Sequence, residues 1–187
     1  MSKDLADEAN KREGPVSAAE TIEATQYLTF KLDDEVFALD ISKVREVLDF
    51  TTITKVPTTP AFMRGVINLR SSVVPVVDLR LKFGMTETER TVNTCIIIVE
   101  VTVDNETMVL GALADSVQEV LDLEPGRIEP VPRIGTKLNT AFIKGMGRRD
   151  DKFIIILDID KVFSVDELTL VQTEKAEADN APTANQG

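Results

Sequence analysis

The chain has 187 residues, 43% hydrophobic and 28% charged, which suits one compact soluble unit or two small ones sharing a core. It carries 21 basic and 32 acidic residues for a net charge of −11, with no histidine, no tryptophan and one cysteine. This excludes Ser-His-Asp and Cys-His catalysis, most zinc sites, a phosphohistidine relay and an internal disulfide, and it leaves no basic face for nucleic acid.

The lone cysteine fits a reducing cytoplasm. The longest apolar runs, Cys95-Ile96-Ile97-Ile98-Val99 and Phe153-Ile154-Ile155-Ile156-Leu157, have five residues each, whereas a membrane-spanning helix needs about 20. Residues 1–24 are polar and acidic with no apolar signal core, and residues 169–187 end in Ala, Asn, Thr, Gln and Gly. Both tails are expected to be disordered, since neither buries enough surface to offset its ordering entropy. The folded body is then 25–168, and its composition points to binding of other proteins.

In chain order the body reads as short strands joined by polar turns. Residues 27–32 and 36–41 flank Asp33-Asp34-Glu35, a hairpin signal. One helical turn over 41–44 runs into a strand over 45–50, where Ile41, Val44 and Leu48 also fit helical spacing. Residues 62–70 and 73–79 flank Ser71-Ser72, and 95–103 and 107–114 flank Asp104-Asn105-Glu106. A strand follows over 118–123, and 142–148 and 152–159 flank Arg149-Asp150-Asp151. Pro75 lies inside an apolar strand, donates no backbone hydrogen bond and should mark an edge or bulge.

These strands recur. Val44-Arg45-Glu46-Val47-Leu48-Asp49 matches Val117-Gln118-Glu119-Val120-Leu121-Asp122 at an offset of 73. Ile53 with Val56-Pro57 matches Ile128 with Val131-Pro132 at 75, and Ala61-Phe62-Met63-Arg64-Gly65 matches Ala141-Phe142-Ile143-Lys144-Gly145 at 80. At that offset Asp78-Leu79 pairs with Asp158-Ile159 and Phe83 with Phe163. An ordered series of matches marks an internal repeat. Five strands per half suffice for a small closed barrel, and closure hides the sheet edges. The pattern therefore predicts a mainly β protein of two five-stranded barrels around a shared hydrophobic core, with short helical turns. The subdomains are expected at roughly 25–90 and 91–168.

Chemistry is sparse. Gly145-Met146-Gly147 lacks the Gly-Lys-Ser/Thr ending of a phosphate loop and reads as a turn into a strand. The acidic turns at 33–35 and 104–106 lack the spaced ligands of a calcium loop. Cys95 opens an apolar strand and is expected to be a buried, inert thiol. Asp78 and Asp158 occupy equivalent places in the two halves, so the repeat sets them apart and favours a structural role closing each barrel over acid–base work. No catalytic constellation, cofactor or metal is expected. A small hydrolase or ligand-binding barrel is the alternative from another class, and it predicts a deep polar pocket. What remains are charges in apolar strands, Glu46 and Arg70, each of which either pairs internally or faces a partner.

The segment from Phe37 to Val47, the Ile53-Thr54-Lys55-Val56-Pro57 stretch, and above all Arg64-Gly65-Val66-Ile67-Asn68-Leu69-Arg70 followed by Pro75-Val76-Val77-Asp78-Leu79 resemble the bacterial chemotaxis coupling family CheW. The likeness runs from about Gln26 to Leu168. It implies two SH3-like barrels and a non-catalytic, cytoplasmic adaptor recruited to membrane-associated receptor arrays, without membrane insertion. The implied partners are the cytoplasmic tips of methyl-accepting chemoreceptors and the regulatory domain of the histidine kinase CheA. By position, Leu28, Ile41 and Val44 are implied to form an apolar patch for the kinase. Gly65 and Arg70 are implied to face the receptor, with Glu46 pairing to Arg70. Two similar but unequal barrels would also permit head-to-tail contacts with kinase regulatory domains that close into a ring. A coupling role in a non-flagellar array, controlling surface motility or gene expression, fits the same residues. Two departures stand out: Ser71 and Ser116 occupy turn positions where the family usually has glycine, which leaves the turn at Ser71-Ser72 and the direction of Arg70 open.

Overall fold

A computed structural model describes residues 24–57, 59–131, 140–164 and 166–169. The tails expected to be disordered lie outside the described residues except at Ala24 and Thr169, as does Pro132 of the repeat. Two-residue turns pair the strands locally. Thr25–Leu32 (β1) and Glu35–Asp40 (β2) meet across Asp33-Asp34, and Cys95–Val103 (β6) and Glu106–Ala114 (β7) meet across Asp104-Asn105. Met63–Leu69 (β4) and Ser72–Asp78 (β5) meet across Arg70-Ser71, and Ile143–Arg149 (β9) and Lys152–Leu157 (β10) meet across Asp150-Asp151. In these last three hairpins both turn residues have positive φ, the type I′ pattern whose twist suits paired strands. The third turn thus sits one residue earlier than Ser71-Ser72 and places Arg70 inside it.

Val44–Asp49 (β3) follows a single 3-10 turn, Ile41–Lys43, capped where the Asp40 carboxylate accepts the Ser42 N–H at 2.9 Å. Ser116–Leu123 (β8) is its counterpart. Where strands were expected to run on through Leu79 and Ile159, short helices form instead, Leu79–Lys82 (α1) and Ile159–Val162 (α2). Asp78 stops its strand by accepting the Arg80 N–H at 3.0 Å, whereas Asp158 makes no such bond.

Two five-stranded sheets result, each curled as a half-barrel: β8-β1-β2-β10-β9 forms the first barrel and β3-β6-β7-β5-β4 the second. Neither follows a division near residue 90. The β1–β2 hairpin joins β8, β9 and β10, while the β6–β7 hairpin joins β3, β4 and β5. The expected subdomains 25–90 and 91–168 are therefore corrected: each half of the repeat donates its hairpin to the other half's barrel. Local periodicity and turn chemistry specify the hairpins, but only long-range pairing selects the sheet each one enters. Halves 25–90 and 91–168 expressed separately should each lack native circular dichroism and dispersed amide signals, and mixing them should restore both. A folded isolated half would contradict this interleaving.

Alternation sorts the side chains into layers. In β6, Ile97, Val99 and Val101 join the cluster shared by the sheets, with Leu28, Phe30, Phe37, Leu39, Leu110 and Ile155. Ile96 and Ile98 point the other way, into the second barrel's own core with Ile67, Val74 and Val76. In β10, Ile155 and Leu157 face the shared layer, and Ile154 and Ile156 fill the first barrel with Tyr27 and Leu123. Strands with two buried faces explain the unbroken apolar runs. Pro75 is on an interior strand, a correction of the edge expectation. It opposes Val66 of β4, and the parallel ladder to β7 begins only at Val76. The missing N–H therefore costs no ladder bond with β7 there.

Two polar clasps cross the barrels. Arg80 of α1 donates to Asp115, between β7 and β8, at 3.0 Å, and Asp115 also accepts the Asp33 N–H at 2.6 Å. On the opposite side Asp160 of α2 accepts Lys43 Nζ and the Thr102 N–H, each at 2.8 Å. Arg80 and Asp160 are equivalent at the repeat offset of 80, so one clasp takes its cation from the short helix and the other its carboxylate.

Candidate functional surface

The second barrel closes through its own chain. Beyond β3 the backbone turns back so that Thr54 and Val66 exchange two hydrogen bonds of 2.9 Å along the outer side of β4. The first barrel repeats this, with Glu129 and Met146 exchanging two of 2.8 Å. Each approach depends on a glycine. A Cβ on Gly65, at φ +143°, would lie 2.1 Å from the Thr54 carbonyl oxygen, and one on Gly145 would lie 2.4 Å from Ile128 Cγ2.

This closure brings the β4–β5 turn beside edge strand β3. A bulge at Arg45 shifts the register between Val44 and Glu46, and a bulged strand turns its side chains to a new face. Arg70 then donates bidentately to Glu46, Nη1 to Oε2 at 2.6 Å and Nη2 to Oε1 at 3.0 Å. Arg70 is 73% exposed and Glu46 26%. The hydrogen bond from Arg70 holds the Glu46 carboxyl below its ordinary value of 4.5, and Glu46 in turn raises the guanidinium. Any stability linked to Glu46 is therefore present above its ordinary titration range and lost as pH falls through the depressed value, so the pair is intact at neutral pH. Arg45 bonds Glu100 on the same strand pair, Nε to Oε1 at 2.7 Å, and Val47 beside it is 41% exposed. The second barrel thus presents two ion pairs and an apolar side chain to the outside.

The other site residues fall on two levels. Ile41 and Val44 are half-buried, packed against the shared core at its rim. Leu28 is 5% exposed within that core, and Gly65 is buried under Thr54. Leu28 as patch surface and Gly65 as receptor-facing surface are therefore corrected: both lie beneath. Strand alternation alone does not say which of a two-sided strand's faces is solvated. Asp78 is fully buried and accepts Thr88 Oγ1 at 2.7 Å, the Thr88 N–H at 2.9 Å and Arg64 Nη1 at 3.1 Å, which ties the loop after α1 to β5. Asp158 ends β10 in the other sheet. Cys95 is buried, and burial pushes its thiol up. Gly145 and Gly147 lie within β9.

Among the described residues no group of three His, Cys, Asp or Glu is placed to hold a metal ion, and no helix is long and apolar enough to cross a membrane. A depression of about 330 Å³ lies on the sheet that holds β1, lined by Thr29, Lys31, Glu119, Leu121, Arg149 and Phe153.

The family model described as CheW-like domain matches residues 26–167. The chain belongs to the CheW family. It is 34% identical over 154 residues to the chemotaxis protein CheW of Klebsiella aerogenes, covering 82% of this chain and 90% of that protein. It is 33% identical over 142 residues to CheW of Rhizobium meliloti, covering 76% and 89%. The crystal structure of the scaffolding protein TtCheW from Thermoanaerobacter tengcongensis matches with a TM-score of 0.68 at 38% identity, over 77% of this chain and 90% of that one.

In this CheW-family chain Glu46 and Arg70 stand out in the sequence, whereas the residues that hold them do not. Nothing in the order of residues marks Thr54 as a stitch or Arg45 as an ion-pair partner. Asn68 accepts the Ser71 N–H on its Oδ1 at 3.0 Å inside the Arg70 turn. An Asn two residues before a turn with no Gly, Asn or Asp was the available signal.

Proposed function

We propose that this chain is a non-catalytic chemotaxis adaptor that joins chemoreceptor tips to the regulatory domain of the histidine kinase CheA. Membership of the CheW family over 26–167 carries this reading. It is supported by an outward-facing Arg70, the exposed apolar Val47 on β3, and half-buried Ile41 and Val44 packed against the shared core. Arg70 with Glu46 forms the receptor contact, and Gly65 shapes it from below by admitting Thr54. Ile41 and Val44 form the kinase contact, with Leu28 in the layer underneath. Signal passes by coupled binding equilibria, with no substrate turned over. The protein works in the cytoplasm, recruited to receptor arrays, where head-to-tail contacts with kinase regulatory domains close rings.

A pull-down with the purified chain should co-purify a chemoreceptor and a histidine kinase. Val44→Asp places a charge at the apolar rim and should cut kinase recovery by about tenfold while sparing the receptor. Unchanged kinase recovery and unchanged receptor control of the kinase would remove this patch from the interface.

A further inference from the structure

Three of the hairpin turns hold both central residues in the left-handed region, a conformation that Asn, Asp and Gly tolerate and other side chains resist. Two of them use tolerant residues, Asp104-Asn105 with φ of 51° and 66°, and Asp150-Asp151 with φ of 49° and 66°. The third uses Arg70-Ser71, with φ of 50° and 70°. Neither residue is suited to the position, and neither is held by burial, since both are exposed. Something else keeps this turn tight. Among the described residues the side chain that bonds into the turn's backbone is Asn68, whose Oδ1 accepts the Ser71 N–H at 3.0 Å. Asn68 is itself exposed, opposite Val73 and one residue before the Leu69–Ser72 closing pair.

The strain has a consequence at one atom group. From this turn the Arg70 side chain reaches edge strand β3, where its fork meets both oxygens of Glu46 at 2.6 and 3.0 Å. A relaxed turn would leave the core untouched and swing the guanidinium away. An unfavourable backbone kept on an exposed turn, beside a two-point ion pair, points to a functional constraint rather than a packing one.

We propose that Asn68 is the positioning residue of the Arg70 site: its carboxamide locks the left-handed Arg70-Ser71 turn and so aims the guanidinium at Glu46 and at the acceptor groups of the receptor. The receptor half of this statement rests on the proposed function; the turn half does not. Ser71 raises the demand on the clamp, because a glycine there would relieve one of the turn's two strained positions.

The test uses the full chain with Asn68→Ala and with Asn68→Ala combined with Ser71→Gly. Two readouts are taken: the titration of the Glu46 side-chain carboxyl by carbon NMR, and co-sedimentation with chemoreceptor-bearing membranes. In Asn68→Ala the Glu46 titration should rise towards its ordinary 4.5 and sedimentation should fall about fivefold, the scale of one lost hydrogen bond, in a chain that still folds. The Ser71→Gly partner should restore both. An unmoved Glu46 titration in Asn68→Ala overturns the clamp. So does a double variant whose Glu46 titration recovers while sedimentation stays low, since Asn68 would then touch the receptor itself. If Glu46 responds in both variants as expected and sedimentation never changes, the clamp stands and the receptor reading of Arg70 fails.

Discussion

Arg70→Glu should reduce attachment to chemoreceptor membranes at least about tenfold and uncouple the kinase from receptor control, with the thermal midpoint unchanged. Arg70 sits on a surface turn with 73% of its side chain in solvent, so nothing in the core depends on it. The guanidinium offers five donors in a rigid plane, and Glu46 occupies only part of that fork. Reversal removes the donors and sets a second carboxylate against Glu46. The charge-swapped chain, Glu46→Arg with Arg70→Glu, separates two roles. It restores the internal pair but moves the cation onto β3, so receptor attachment should stay low if Arg70 itself meets the receptor. Full recovery in the swap would assign the pair a structural role, and normal coupling in the single variant would dismiss the site.

Gly65→Ala should destabilise the fold by about 3 kcal/mol or more, read as a lower urea midpoint at similar slope. The new Cβ would stand 2.1 Å from the Thr54 carbonyl oxygen, 2.8 Å from its carbon and 2.9 Å from Ile53 Cγ2. Two of these are backbone atoms that no rotamer change can move. Relief requires the 50–57 segment to leave β4, with loss of both Thr54–Val66 hydrogen bonds and the second barrel's closure. Gly84→Ala is the control. Its φ is +78° with nothing within 4 Å of the new Cβ, so it carries the conformational cost alone, about 1 kcal/mol. A Gly65→Ala chain as stable as the control but deficient in receptor attachment would return Gly65 to the surface role that family resemblance implies.

The closure also explains how Arg70 comes to face Glu46. They are separated by 24 residues and lie on strands at opposite edges of one sheet, β3 and β4–β5, so no pattern within either strand relates them. Each stands out in the sequence as a charge in an apolar strand. The contact arises because the sheet curls until its edges approach, with Thr54 as the stitch. The same holds for the two clasps: Arg80 with Asp115, and Lys43 with Asp160, pair across 35 and 117 residues. Asp78 was legible as structural from its place at a repeated strand end, but its bonds to Thr88 and Arg64 come from a loop and a neighbouring strand that only the fold assembles.

Most of the local structure was written in the amino-acid order. Strand positions, the turn at 41–44, the polar hairpin loops and the duplication of the whole pattern follow from side-chain alternation and turn residues, which act over a few residues at a time. Which sheet each hairpin enters, which face of a two-sided strand is covered, and whether Leu28 and Gly65 lie at the surface or beneath it were decided by tertiary packing. Both faces of these strands are apolar, so hydrophobicity alone is satisfied by either pairing. The choice is made where barrel closure, two glycine contacts and two cross-barrel clasps are met together.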